Sequence, residues 1–426
     1  MVNDINFPLT NNRVCDLFSS LINKERIALA VSGGRDSMAL MYLIHRWKVY
    51  LALNIEVEVL TVNHNLRKAA DTECQFVYEV AKNYGFRHKV LSWEHGLIET
   101  CIQEKARNAR YQLMVDYVRQ VNIDTILTAH TSDDNIETFI MRLAKGSGLD
   151  GLKSINKIRY EDGVKIQRPL LSLSRSLITD VLKSSGNLWI DDPTNNDESF
   201  ERVKIRNNIN SLSSLNISPA NLTKTIRRLE RAHESIDHIT NSISKKLIEI
   251  NDLGYAEIDF DKLRHNPQEI ILRVFARALT DVNGGHVSLS SLEGVFEDLT
   301  KTMKSKTLNG CQIIPQKNKY VIVRESRGIR PVGIKINERI SWDGRFDVHL
   351  KSCYKTNVII DQIGNANDLG KIIDGTSFQN MPMFALRSLP GGFVEDKLVL
   401  LPNIHNIYNK GDLDVTFRIS DEKKFT

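Results

Sequence analysis

Five consecutive apolar residues, Ile27-Ala28-Leu29-Ala30-Val31, run straight into Ser32-Gly33-Gly34-Arg35-Asp36-Ser37, and Met38 to Trp47 then carry apolar side chains at helical spacing. An uninterrupted apolar run of this length reads as a strand buried on both faces, as in a parallel sheet covered by helices. The six residues after it are therefore a turn from a buried strand into a helix N-terminus. Paired glycines let the backbone come close to a ligand. The first turn of a helix offers unpaired N–H groups at the positive end of the helix dipole, which suits a phosphate. Ser32 and Ser37 add hydroxyl donors, and Asp36 adds a carboxylate positioned for a metal ion on that phosphate. The same residue types also serve as ordinary turn and N-cap chemistry. No Gly-x-x-x-x-Gly-Lys-Ser/Thr occurs, and no Gly-x-Gly-x-x-Gly follows the strand, so neither a Walker loop nor a dinucleotide fingerprint is present.

The segments that follow repeat the same alternation. Val14–Ile22 predicts a short amphipathic helix, Ile55–Val62 a second strand, and Asp71–Tyr84 a helix stopped by Gly85. Arg87–Trp93 predicts a third strand, Cys101–Val121 a long helix, and Asp124–His130 a fourth strand. Asp133–Lys145 predicts a helix ending at Gly146. Strands and helices at this spacing predict βαβ units and a mostly parallel sheet with helices on both faces. Ligands of such sheets bind beyond the carboxyl ends of the strands. Ser32–Ser37, Asn63-His64-Asn65 and Ala129-His130 all fall there.

Asp162-Gly163 between Lys157–Tyr160 and Val164–Gln167 predicts a hairpin. Ser174–Ser185 predicts a helix, and the polar Asn195–Ser199 a loop. Near residue 216 the pattern changes. Ser218-Pro219 is an N-cap followed by a first-turn proline. Leu222, Ile226, Leu229, Ile236, Ile239, Ile243, Leu247 and Ile250 then recur at helical spacing, predicting one long helix with a single apolar stripe. Its polar side carries Lys224, Arg227, Arg228, Arg231, Lys245 and Lys246, either a solvated face or a contact for an acidic partner. Helices near 268–281 and 290–303 and a strand pair at Leu308–Ile314 and Tyr320–Val323 follow. Residues 331–426 are strand- and turn-rich. The expected division is a catalytic domain at 1–215, a mainly helical segment at 216–330 and a β-rich segment at 331–426.

A chain of 426 residues is too long for one ordinary core. Its 41% hydrophobic and 26% charged residues are those of a globular protein. The net charge of +5 is too small to argue nucleic-acid binding by itself. Cys15, Cys74, Cys101, Cys311 and Cys353 are scattered, with no C-x-x-C pair, which argues against a disulfide framework or a thiolate metal site. A reducing cytosol fits best. Met1–Asn6 has no basic and apolar leader pattern, and no run of eighteen apolar residues occurs, so neither a signal peptide nor a membrane span is expected.

Ala129-His130-Thr131-Ser132-Asp133-Asp134-Asn135-Ile136-Glu137-Thr138 is the second informative stretch. Paired carboxylates at a helix start are favoured by the dipole, and they also form a plausible Mg²⁺ site facing phosphates. Gly146-Ser147-Gly148-Leu149-Asp150-Gly151-Leu152 reads as a cap and loop, or as a loop that lets a substrate approach the backbone. Arg107 and Arg110 share one helix face.

The Ser32–Ser37 hexapeptide resembles the pyrophosphate-binding loop of PP-loop ATP pyrophosphatases. Asn63-His64-Asn65-Leu66-Arg67, Ala106–Tyr111, His130 with Asp133-Asp134 and Glu137-Thr138, Gly146-Ser147-Gly148 with Gly151-Leu152, Arg168-Pro169-Leu170-Leu171 and Asp191–Asn195 occur in the order of one family. As a set they resemble tRNA(Ile)-lysidine synthases over roughly residues 25–210. The family usually has a second His after the strand-end His and a Gln after the paired Asp. This chain has Thr131 and Asn135 there.

The resemblance implies a PP-loop α/β domain, a helical middle and a β-rich end. It implies that ATP activates C2 of the wobble cytidine of an isoleucine tRNA with a CAU anticodon, and that L-lysine then displaces AMP. On that reading Ser32, Gly33, Gly34, Arg35, Asp36 and Ser37 bind ATP, and Asp36, His130, Asp133 and Asp134 are catalytic, Glu137 being a weaker candidate. Mg²⁺ would lie near Asp36 or Asp133. Arg107, Arg110, Arg202, Arg206, Arg227, Arg228 and Arg231 would meet the tRNA. A cytosolic location and a homodimer are also implied. Two rivals stand beside it: a PP-loop cytidine thiolase, which would want a cysteine pair, and a non-catalytic RNA-binding protein with a vestigial ATP pocket.

Overall fold

The computed structural model describes residues 7–63, 70–94, 102–191, 197, 199, 201–209, 216–285, 287–351, 358–366, 369–370, 382–404 and 412–417. They form two compact units, Met1–His233 and Glu234–Thr426.

In the first unit α1 (Asn11–Phe18) leads through a 3₁₀ turn to β1 (Arg26–Ala30) and α2 (Arg35–Tyr50). Next come β2 (Glu56–Asn63), α3 (Ala70–Asn83), β3 (Arg87–Ser92), α4 (Ile102–Gln120), β4 (Thr125–Leu127), α5 (Ser132–Ala144) and α6 (Leu149–Leu152). The hairpin β5 (Ile158–Glu161) and β6 (Val164–Gln167) follows, then α7 (Arg175–Ser185) and α8 (Glu201–Asn208). The sheet order is β3-β2-β1-β4-β6-β5. All pairs are parallel except the edge pair β5–β6, turned at Asp162-Gly163 with both φ positive. Strand residues alternate between two cores. Ile27, Leu29, Val59 and Leu127 join α1, α2, α3 and α7, whereas Ala28, Leu60 and Ile126 join Tyr111–Val118 of α4. Ile27, Ala28 and Leu29 are wholly buried, as the apolar run requires. Each Ile or Leu so buried contributes about 1.5–3 kcal/mol.

Two expectations change. The fourth strand is three residues long rather than seven, because the chain must leave the sheet for Thr131 to cap α5. The glycine loop after α5 contains α6, and Gly151 packs within it. A Cβ there would lie 2.6 Å from the Ser147 Cβ, and the Gly151 carbonyl accepts a hydrogen bond from Arg142 at 2.8 Å. That glycine serves internal packing.

The long helix α9 (Pro219–Leu247) begins at the expected Pro219. Ile226, with Leu222 and Leu229, packs with Ile136 and Phe139 in the first unit. In the second unit its Ile236, Ile243 and Leu247 pack with α10 (Gln268–Asn283) and α11 (Leu289–Thr302), while Ile239 is exposed. The stripe ends at Leu247, because Ile248–Ile250 is a strand, β7. It joins β8 (Ala256–Asp259), β9 (Lys306–Leu308), β10 (Cys311–Pro315) and β11 (Lys319–Arg324) in an antiparallel sheet of order β7-β8-β11-β10-β9. The segment expected to be mainly helical thus also carries a five-stranded sheet. Beyond it lie two four-stranded sheets, with Trp342, Phe346 and Leu389 wholly buried in their core.

Candidate functional site

The loop after β1 meets the start of α2. Gly33 has φ +81°, a left-handed conformation suited to glycine, and a Cβ there would lie 3.2 Å from Cδ1 of Ile190. The Ile190 N–H donates to the Gly33 carbonyl at 3.0 Å, pinning the loop from outside. The Ser32 N–H donates to Ser37 Oγ at 3.2 Å, and the Ser37 hydroxyl donates to the Gly34 carbonyl at 2.8 Å. Gly34 is the N-cap of α2 and offers no side-chain acceptor to the first-turn N–H groups. An α-helix leaves those groups without intrahelical partners, so the loop presents donors to an anion.

A knot of carboxylates and guanidinium groups lies beside it. Arg175, first residue of α7, places Nε 3.8 Å from Asp36 Oδ2 and donates at 3.0 Å to both Asp134 and Glu137. Its backbone N–H donates to Asp133 Oδ2 at 2.8 Å. Asp36 also pairs with Arg35 at 3.1 Å. Burial pushes the Asp36 carboxyl above its ordinary value, the Arg35 and Arg175 charges opposing. Burial acts the same way on Asp134. There Arg175, the Thr131 N–H, His130 and Arg202 outweigh it and hold Asp134 below the ordinary value.

Thr131 and Asp134 form a capping box on α5. Thr131 Oγ1 accepts from the Asp134 N–H, and Asp134 Oδ2 accepts from the Thr131 N–H at 2.8 Å. Asn135 Oδ1 accepts from the Ile155 N–H at 2.8 Å. The two positions that depart from the family pattern therefore cap a helix and tie down a loop. His130, half-buried, hydrogen-bonds Thr128 through Nδ1 at 3.1 Å. Burial pushes its pKa well down, Asp134 opposing and Arg168, Arg107 and Arg202 adding, so the ring is neutral at pH 7.

Glu137 is wholly buried and carries Arg175 at 3.0 Å, Arg206 at 2.8 Å and Arg202 at 3.6 Å. A carboxylate saturated in this way is an anchor, not a base for an incoming amine. Arg202 and Arg206, expected at the tRNA, both turn onto Glu137. Arg107 and Arg110 are exposed on α4, with the Arg107 guanidinium 5.6 Å from the Tyr111 ring centre. Asp133, held by the Arg175 N–H, also lines a groove of about 1210 Å³. Arg13, Ser174, Lys224, Arg227, Arg228 and Arg231 line the same groove. The structure thus joins Asp36 to Asp134 and Glu137 through Arg175, and sets Asp133 beside the basic face of α9. His64–Arg67 and Asp192–Asn196 lie outside the described residues.

Among the described residues no three His, Cys, Asp or Glu side chains converge as a metal cage. Mg²⁺ carried on phosphates keeps several waters and needs only one or two carboxylates. Asp36, at the loop, is suited to be one of them. Asp133 already accepts from the Arg175 N–H and, at 3.3 Å, from the Ser132 hydroxyl.

A glycine-bearing strand-to-helix loop at the carboxyl edge of a parallel sheet is a nucleotide-binding architecture, and residues 8–212 match the PP-loop domain family, which makes this a PP-loop protein. A tRNA(Ile)-lysidine synthase of Wolbachia pipientis wMel is 31% identical over 91% of this chain and 92% of its own. One of Ruegeria pomeroyi is 32% identical over 76% of each chain, and one of Rickettsia bellii 29% over 94% of each. The chain belongs to the tRNA(Ile)-lysidine synthase family, and is a ligase that forms a C–N bond. Among the described residues no helix is long and apolar enough to cross a membrane.

Proposed function

We propose that this enzyme uses ATP to adenylate the C2 carbonyl oxygen of the wobble cytidine in a CAU-anticodon isoleucine tRNA, releasing pyrophosphate. The ε-amine of L-lysine then attacks C2 and displaces AMP, giving lysidine. The carbonyl oxygen is a poor leaving group until adenylated, so the enzyme must stabilise negative charge on the departing pyrophosphate. The observation that carries the reading is the phosphate loop with its uncapped first turn, joined by Arg175 to the carboxylates of α5. The Ser32, Gly33, Gly34, Arg35, Asp36 and Ser37 loop holds the β- and γ-phosphates. Asp36 would hold Mg²⁺ brought with the nucleotide, and the ion would supply neutralisation of phosphate charge. Neutral His130 and the Asp134 carboxylate face the reacting base and amine. To reach that base the enzyme unstacks it from the anticodon loop.

On this reading Arg107, Arg110, Arg227, Arg228 and Arg231 meet the phosphate backbone of the tRNA, and residues 216–330 and 331–426 also bind tRNA. The enzyme works in the cytosol, as a homodimer. A pyrophosphate-release assay with ATP, CAU tRNA transcript and lysine, each omitted in turn, tests it. Release is expected with ATP and tRNA alone. Release that requires lysine but not tRNA would contradict it.

A further inference from the structure

Arg175 carries no motif, yet it is the side chain on which the site converges. It touches Asp36 from the phosphate loop and Asp134 and Glu137 from α5, while its backbone N–H holds Asp133. Its side chain is only 14% exposed, so water replaces these contacts poorly. Glu137, wholly buried, accepts a hydrogen bond from its Nη1 at 3.0 Å and anchors the guanidinium. Oδ2 of Asp134 is held by Thr131, which leaves Oδ1 for Arg175. Glu137 is the most deeply buried of the four, Arg175 and Asp134 are equally exposed, and Asp36 is the most exposed.

We propose that Arg175, anchored by Glu137, is the positioning residue that fixes the separation of Asp36 and Asp134. It touches neither base nor amine. It joins the element that holds the phosphates to the element that faces the nucleobase. Two carboxylates on different helices repel each other, and one planar guanidinium fork bridges both while reaching back to a third. A lysine ammonium is a compact point charge without that fork. Loss of the bridge misplaces Asp36 relative to the α5 carboxylate, and misplacement of about 1 Å costs roughly 10²-fold in rate. The inference rests on the functional reading above.

The test uses the full chain with ATP and CAU tRNA, reading kcat and KM for pyrophosphate release together with the melting temperature. Arg175→Met is expected to lower kcat roughly 10²-fold while KM for ATP stays within about threefold. Arg175→Lys, which keeps the charge without the fork, is expected to recover about tenfold of that loss. Glu137→Gln added to Arg175→Met is expected to change kcat little further, because both act through one bridge. A kcat within about threefold of wild type in Arg175→Met, with only the melting temperature lowered, would leave Arg175 a stability element and overturn the inference. Equal kcat in the Met and Lys variants overturns it too. A wild-type enzyme that releases no pyrophosphate with ATP and tRNA fails the functional reading itself, and that outcome shows in the wild-type arm alone.

Discussion

Replacing Glu137 with Gln keeps the shape of the side chain and removes one buried negative charge. The Glu137 side chain is 1% exposed, against 14% for Arg175, 31% for Arg206 and 38% for Arg202. Removing one partner of a buried ion pair costs about 3–5 kcal/mol, because the other charge stays buried. Arg202 and Arg206 are near one-third exposed and can rehydrate, so their share shrinks toward the ~0–1 kcal/mol of surface pairs. Arg175 cannot turn to water but keeps Asp134 and Asp36. The net loss is then about 2–3 kcal/mol. A unit of this size moves by roughly 2–4 °C per kcal/mol, giving a fall of about 4–12 °C in the melting temperature of the first unit. Thermal unfolding followed by Trp fluorescence reads it. Glu297→Gln, whose partner Lys301 lies in solvent, is the control and is expected to leave the midpoint in place. A Glu137→Gln shift no larger than the control's would refute the claim that this carboxylate anchors the arginines.

Asp36→Ala should abolish pyrophosphate release while circular dichroism shows the fold intact; normal turnover would remove the loop from the chemistry. Charge reversal at Arg227, Arg228 and Arg231 together should weaken tRNA binding and flatten its dependence on salt, by up to about one unit of log–log slope per lost phosphate contact. An unchanged slope would make that face of α9 merely solvated. The depressed pKa of Asp134 stabilises the fold above its unfolded value, near 3.9, and that contribution is lost as pH falls through the folded value. Asp134→Asn should therefore destabilise at pH 7, and the deficit should vanish in acid; a deficit equal at both ends would refute the pairing with Arg175.

Much of the first unit was legible because local signals and the fold agree. The apolar run at β1, the Asp162-Gly163 turn, the helix beginning near Ser174 and the Pro219 helix start each sit where the sequence alone puts them. The loop after β1 was visible for the same reason. The ion-pair knot was not. A lone Arg at the first position of α7 reads as a charge in solvent, and its meeting with Asp36, Asp134 and Glu137 depends on how α2, α5 and α7 pack. The pairing of Arg202 and Arg206 with Glu137 was hidden for the same reason, since it depends on how α8 packs against α5. The five-stranded sheet was hidden by strands of three or four residues, too short for a period-two signal. Ile248 and Ile250 also continue the helical spacing of α9 into β7.

The most direct test of the central claim, that the phosphate loop serves adenylation of a nucleobase, is a label transfer. Wild-type enzyme is incubated with ATP labelled at the α-phosphorus and CAU tRNA, without lysine. The label should appear on the tRNA, leave as AMP when lysine is added, and be absent from Asp36→Ala reactions. Label that stays off the tRNA and appears on lysine when lysine is supplied would mean that the amino acid, not the base, is activated, and would contradict the account.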